Sequence, residues 1–149
     1  MNNVDFPISA VIPTYNSSQF IKDTISSLLN QTIELTEIII IDDHSNDGTH
    51  SILNELHQLY PEKLRLYFLE ENVGSSEARN IGLQLAREPW VLLMDHDDLA
   101  APDLVESEWN RLQELEAENP GKWVLVHSAY QQITENGEKL PGIHSWRQL

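Results

Sequence analysis

A chain of 149 residues, 40% hydrophobic and 22% charged, has the size and make-up of one globular domain with a real core. Its formal net charge of −15, set against only nine Lys and Arg, leaves no basic stripe to neutralise a phosphate backbone, so nucleic acid and anionic membrane surfaces are excluded as general partners. There is no cysteine for a disulfide, a thiolate zinc site or a thiol nucleophile, no apolar run near the roughly 20 residues of a membrane span, and no signal-peptide pattern in "MNNVDFPIS"; a cytoplasmic chain is expected.

In chain order, apolar runs of strand length alternate with stretches of helical spacing. "ISAVIP" (8–13) reads as a strand, followed by "SSQFIKDTISSLLNQ" (17–31), where Phe20, Ile21, Ile25, Leu28 and Leu29 recur at about the 3.6-residue period behind a serine cap. "EIIIID" (37–42) is a near-continuous β-branched run, the pattern of a strand covered on both faces. "DGTHSILNELHQLY" (47–60) gathers Ile52, Leu53, Leu56, Leu59 and Tyr60 on one stripe. The strand "LRLYFL" (64–69), the helix "SSEARNIGLQLA" (75–86) and the strand "WVLLMD" (90–95) continue the alternation. Short connections between alternating elements predict an α/β fold with a mostly parallel central sheet, flanking helices and right-handed crossovers. Pro102 suits the first turn of a further helix, "PDLVESEWNRLQELEAE" (102–118). "KWVLVHSAYQQIT" (122–134) is expected to give a last strand or two, with "ENGE" as a turn, while "PGIHSWRQL" (141–149) has no readable period. No repeat or linker divides the chain, so a single domain over 1–149 is expected.

In an open parallel sheet, ligands bind outside the carboxyl ends of the strands. Each unusual polar stretch falls there: "PTYN" after the first strand, "DDHSNDGT" after the second, "ENVGSSEARN" after the third and "DHDD" after the fourth. Each also has a plain structural use. Tyr15 is either a loop aromatic at the core edge or a platform for a flat base. Asp42, Asp43, Ser45, Asn46 and Asp47 compete to cap the next helix, and a cap needs only one of the five. Gly74 serves a turn, or lets a phosphate approach the positive end of a helix. Arg79 stands in a first helical turn, where the macrodipole disfavours a cation, so a partner is expected, either an aspartate or a phosphate.

"WVLLMDHDDL" ends an apolar run on Asp95, Asp97 and Asp98, three carboxylates within four residues. Like charges this close repel at any plausible dielectric, and a divalent cation relieves them most simply. An all-oxygen donor set fits Mg²⁺ or Mn²⁺. His96 is expected to turn away from the cleft with the strand pleat, and the other histidines have no metal-site spacing.

"ISAVIPTYN", "IIIIDDHSNDGT", "NVGSSEARNIGL" and "VLLMDHDDL", in this order and spacing, closely resemble the nucleotide-sugar-binding half of family 2 glycosyltransferases with the Rossmann-like GT-A fold. The likeness spans about the first 110 residues, and four ordered motifs are far more specific than a lone D-x-D. It implies a nucleotide diphosphate sugar as donor. It also implies a nucleotide site of Pro13, Tyr15, Asp43, Asn72, Gly74, Arg79 and Asp95, with Tyr15 stacking on the base and Asp43 accepting a hydrogen bond from it. Arg79 would reach the nucleotide or diphosphate. Asp95 would face the ribose or metal, Asp97 the metal bridging the phosphates, with Asp98 alongside. In such enzymes a bound Mn²⁺ or Mg²⁺ stabilises the departing diphosphate, and the reaction inverts the anomeric centre with a carboxylate base from the acceptor half.

Family members continue for roughly another domain beyond the D-x-D. The acceptor half and its base are therefore expected to lie outside this sequence, the acceptor is unknown, and Glu106, Glu108 and Glu135 are not defensible as that base. Two rivals stay open: a non-catalytic nucleotide-binding fragment, and a Mg²⁺-dependent phospho-acceptor module of the receiver type. The latter would place its acidic pair after the first strand and a Lys at a later strand end. A dinucleotide-binding domain would need G-x-G-x-x-G where "PTYN" stands.

Overall fold

The structure, a computed structural model, describes residues 7–122 and 125–142. Its elements in chain order are β1 (Ile8–Thr14), α1 (Ile21–Leu29), β2 (Glu37–Asp42), α2 (Thr49–Leu59), β3 (Leu64–Phe68), α3 (Ser75–Leu85), β4 (Trp90–Leu93) and α4 (Leu104–Glu118). The four strands form one parallel sheet in the order β3-β2-β1-β4, as the alternation of elements predicts. The chain divides into two compact units, one ending at Val105 and one starting at Glu106.

The order of the strands dictates where the helices go. β1, β2 and β3 step in one direction across the sheet, and then β4 returns to the far side of β1. Right-handed crossovers therefore put α1 and α2 on one face and α3 on the other. Side chains obey the pleat: Val11, Ile39 and Ile41 pack with Ala78 of α3, flanked by Ile81, Leu85 and Val91. The alternate residues Ile12, Ile38 and Ile40 are fully buried on the opposite side, where Ile21, Ile25 and Leu28 of α1 and Leu53 of α2 are buried too. Every residue of β2 is buried, which is why its four central residues, 38–41, are all isoleucine rather than alternating with polar ones. α3 lies so close that a Cβ on Gly82 would sit 2.3 Å from Val11 Cγ1 and 3.3 Å from Ile41 Cγ1.

Pro13 lies in the middle of the sheet yet breaks no ladder. The carbonyl of Val11 accepts from Met94 N, so residues of that parity face β4, whose pairing with β1 ends at Val11 opposite Leu93. The missing N–H of Pro13 thus falls where no partner strand remains.

At the amino end of the sheet, Glu37 is buried and saturated. Its carboxylate accepts from Ser9 Oγ (2.8 Å), Arg87 N (2.8 Å) and Arg65 Nη1 (2.7 Å), while Arg65 also donates to the Leu85 carbonyl and Tyr67 hydroxyl. Burial pushes the Glu37 pKa up, but the hydrogen bonds from Arg65, Arg87 and Ser9 and the guanidinium charge outweigh it and leave the group below its usual 4.5.

α1 starts four residues later than its periodicity predicts and has no side-chain cap. Residues 18–20 form a turn instead, in which the Ser17 carbonyl accepts from Phe20 N and Ile21 N. The amides of Ser17 and Ser18 are engaged by residues beyond β2, described below. The helix expected after Pro102, α4, begins at Leu104 and has most of its length in the second unit. The expected strand at 122–134 is not formed in its described part, 125–134, apart from single bridges. One of these is antiparallel, between Ile133 and Lys139. "ENGE" is the turn between them, with Gly137 at φ 79° donating to the Thr134 carbonyl at 2.8 Å. Trp123, Val124 and the segment from Ile143 lie outside the described residues.

Two stability measurements check this packing. Gly82→Ala overpacks the α3–sheet contact and should lower the denaturant-derived stability by about 1–3 kcal/mol. Because the folded pKa of Glu37 is depressed, its contribution is complete above about pH 4.5 and is lost as pH falls through the lower folded value. Glu37→Gln should accordingly destabilise the protein by about 3 kcal/mol at pH 7 and flatten the stability profile below pH 4.5.

Candidate functional site

Where β1 and β2 end side by side, Thr14 opposite Asp42, the next peptide groups have no ladder and must find acceptors elsewhere. Three consecutive amides of the β1–α1 loop donate to side chains of the β2–α2 loop and of the first residue of α2. Asn16 N bonds Ser45 Oγ (2.8 Å), Ser17 N bonds Thr49 Oγ1 (3.0 Å) and Ser18 N bonds Asp47 Oδ2 (3.0 Å). Asn46 N returns a bond to Asn16 Oδ1 at 2.9 Å, and Asn16 holds the left-handed conformation at φ 47°. Asp47 Oδ1 also accepts from Thr49 N and Thr49 Oγ1 (3.1 and 2.6 Å). Burial raises the Asp47 pKa, but the bonds from Thr49 and Ser18 prevail and hold this carboxylate far below the usual range.

The five candidate caps thus have separate duties. Gly48, at φ 101°, occupies the cap position of α2 without a side-chain bond, and Asp47 satisfies Thr49 N beside it. Asp42, fully buried, accepts from Ser45 N (2.9 Å) and contacts His50 Nε2 (2.6 Å), whose ring packs edge-on against Phe68. Asp43 turns to the loop ahead of α3: its two carboxylate oxygens accept from Val73 N (2.6 Å) and Gly74 N (2.8 Å), and its carbonyl accepts from Asn72 Nδ2 (3.1 Å). Gly74 adopts φ 89°, ψ 154°, a conformation costly for other residues, although a Cβ there would meet open space.

Tyr15 stands between these anchors, 44% exposed, while Pro13 is buried within β1. Arg79, one turn into α3, has the partner that its position demands: Nη2 donates to Asp95 Oδ1 at 2.7 Å. Asp97 and Asp98 follow in a turn in which Asp98 N donates to the Asp95 carbonyl. Burial, followed by the charges of Asp97 and Asp95, raises the Asp98 pKa, with His96 opposing. Direct bonds therefore join Asp43 to Asn72 and Gly74, and Arg79 to Asp95; α3 carries Gly74 at its cap and Arg79 within, connecting the two groups. Among the described residues no three acidic or histidine side chains converge on a ready metal cage.

Sequence reading missed the support beneath the aspartate cluster. Thr24, Ser27 and Gln31 form a polar stripe at helical spacing along and just past α1. Thr24 Oγ1 donates to the His96 carbonyl (2.8 Å), Ser27 Oγ accepts from Ala100 N (3.0 Å), and Gln31 bonds the Ala101 carbonyl (2.7 Å) and Val105 N (3.0 Å). The signal was present as small or amide polar residues at i, i+3 and i+7, a period usually read only for apolar residues. In the second unit, Glu108 accepts from Ser128 Oγ at 2.7 Å; burial raises its pKa against the influence of Ser128 and His127.

The family model of glycosyl transferase family 2 matches residues 9–134, and the chain belongs to that family. It is 32% identical over 142 residues to an uncharacterised glycosyltransferase of Rickettsia felis, covering 95% of this chain and 22% of the relative. It is 28% identical over 111 residues to the glycosyltransferase GlyG of Streptococcus pneumoniae, covering 74% and 36%. Among solved structures, S. aureus TarS in complex with UDP superposes with a TM-score of 0.63 at 25% identity, over 85% of this chain and 41% of that one. The mannosyltransferase PcManGT from Pyrobaculum calidifontis, in complex with GDP-Man and Mn²⁺, gives 0.60 at 28% identity, over 64% and 29%. The fold is thus that of the GT-A glycosyltransferases, and the chain spans only about a fifth to two-fifths of these proteins' lengths. No described helix is long and apolar enough to cross a membrane.

Asp43→Asn must set an amide N–H against the N–H of Val73 or Gly74. It should cost about 1–3 kcal/mol and raise amide exchange at both positions, measured by NMR.

Proposed function

We propose that this chain is the donor-binding part of a glycosyltransferase that moves a sugar from a nucleotide diphosphate sugar to an acceptor, with inversion and with a divalent metal. The observation that carries the reading is the assembly along α3: its entry loop is fastened to Asp43 and its first turns present Arg79 to Asp95 at the carboxyl edge of the sheet. Support comes also from relatives of this fold that hold UDP, UDP-GlcNAc, or GDP-Man with Mn²⁺.

In this reading Tyr15 offers its exposed ring to the base, and Pro13 and Asn72 shape the walls beside it. Asp43 keeps two lone pairs after serving Val73 and Gly74, and these accept from the base. Arg79 binds the diphosphate. Its pair with Asp95 is one-third and more exposed, and such pairs are worth about 1 kcal/mol or less, so the guanidinium gives up little in turning to phosphate. Asp95, Asp97 and Asp98 offer only oxygen; burial first, and then the charges of Asp97 and Asp95, raise the Asp98 pKa, and a dication relieves that repulsion. The set suits Mg²⁺ or Mn²⁺ whose shell would be completed by phosphates and water, with Asp97 and Asp95 as first ligands and Asp98 alongside. When bound, such a cation stabilises the negative charge of the departing diphosphate. The base that deprotonates the acceptor is assigned to no residue here.

Calorimetry with UDP, GDP and dTDP, each with and without Mn²⁺, tests the reading. One nucleoside diphosphate should bind in a Mn²⁺-dependent manner. Asp97→Ala should weaken Mn²⁺ by more than the roughly tenfold that loss of even an outer-shell partner costs. If no diphosphate binds and Asp97→Ala leaves metal affinity unchanged, the donor site is elsewhere or absent.

A further inference from the structure

Tyr15 would be a poor platform if its loop were free, because ordering a loop on binding subtracts from affinity. The residues on either side of it are held from outside the loop. On one side the Thr14 carbonyl accepts from Asp43 N at 2.8 Å. On the other, the amides of Asn16, Ser17 and Ser18 all end on side chains of residues 45–49. Two of these three bonds, those from Ser17 and Ser18, depend on Asp47, while Asn16 N rests on Ser45. One carboxylate oxygen receives Ser18 N directly; the other receives the Thr49 hydroxyl proton, which orients Thr49 Oγ1 so that its lone pairs meet Ser17 N. A carboxylate so placed accepts from both sides, which no neutral side chain of the same shape does.

We infer that Asp47 is a positioning residue for the nucleobase, acting through the backbone of residues 16–18 to hold Tyr15 in a preorganised pose. The inference rests on the donor-site reading and adds a residue that touches neither base nor metal. Its range is limited to the base end of the donor: Arg79 and the aspartate cluster are anchored separately, by α3 and by the α1 stripe. Tyr15 therefore feels a change at Asp47, and the diphosphate end does not.

Asp47→Asn is the test, since an amide, whichever way it turns, accepts on one side only, and either Ser18 N or Thr49 N loses its partner. NMR should show faster amide exchange at residues 16–18 and altered contacts of the Tyr15 ring. In the presence of Mn²⁺, UDP should bind about fivefold to tenfold more weakly, while inorganic pyrophosphate binds as before. On a Tyr15→Ala background the same substitution should change UDP affinity less than about twofold, because the route through the ring is gone. A purely structural defect would persist in that background, and an equal loss there overturns the inference, as does unchanged UDP affinity with Tyr15 in place. Should Asp47→Asn fail to fold, Ser45→Ala removes only the acceptor of Asn16 N and is expected to show the same pattern at smaller size. Where GDP or dTDP rather than UDP proves to be the nucleotide bound, it replaces UDP in these measurements; if the unaltered chain binds none of the three, the donor-site reading falls by itself. The positioning inference is then decided by NMR, and an unmoved Tyr15 ring in Asp47→Asn overturns it.

Discussion

A parallel strand that ends in the interior leaves its next peptide groups without a ladder, and here β1 and β2 end side by side. Buried amides need acceptors, and no water-facing route is open to Ser17, which is 1% exposed. The side chains that answer this need come from the neighbouring loop rather than from the local helix. Asp47, Thr49 and Ser45 serve the first loop, while Asp43 serves the third. One polar stretch thus knits three strand ends together, and the exposed ring of Tyr15 is what the knitting leaves free.

The second constraint is the reversal of strand order. Once β4 returns to the far side of β1, α3 has to cross the opposite face of the sheet, and it does so at a distance that only Gly82 allows. That close approach brings its first turns to the carboxyl edge, with Gly74 at the cap and Arg79 against Asp95. A cation in the first turn of a helix is unfavourable by itself, so the aspartate settles a cost that α3 would otherwise carry. The acidic cluster in turn rests on α1, whose polar stripe captures the backbone after β4. Helices from both faces of the sheet therefore meet at this edge.

Much of the fold was legible because apolar spacing is a local property. β2 was readable to the residue from its isoleucine run, and the alternation of elements implied the parallel sheet. Legibility failed where a partner distant in sequence decided the outcome. Ser17 and Ser18 look like helix caps, yet their amides belong to Thr49 and Asp47, and α1 begins only at Ile21. The segment 125–134 has strand-like composition but forms only isolated bridges, since composition alone supplies no neighbour to pair with.

For the site, the sequence by itself determined the inventory: an aromatic, an acidic pair, a glycine, an arginine and three clustered aspartates, each at a strand's carboxyl end, in the order of a known family. It also determined that Arg79 needs a counter-charge, because a helix dipole is fixed by position along the helix. Only the tertiary structure decided which aspartate answers Arg79, that Asp43 is committed to Val73 and Gly74, and that Asp47 ties down the loop of Tyr15. The reason is physical: which groups are polar is written in the chain, but which buried donor each acceptor must satisfy depends on where other strands end.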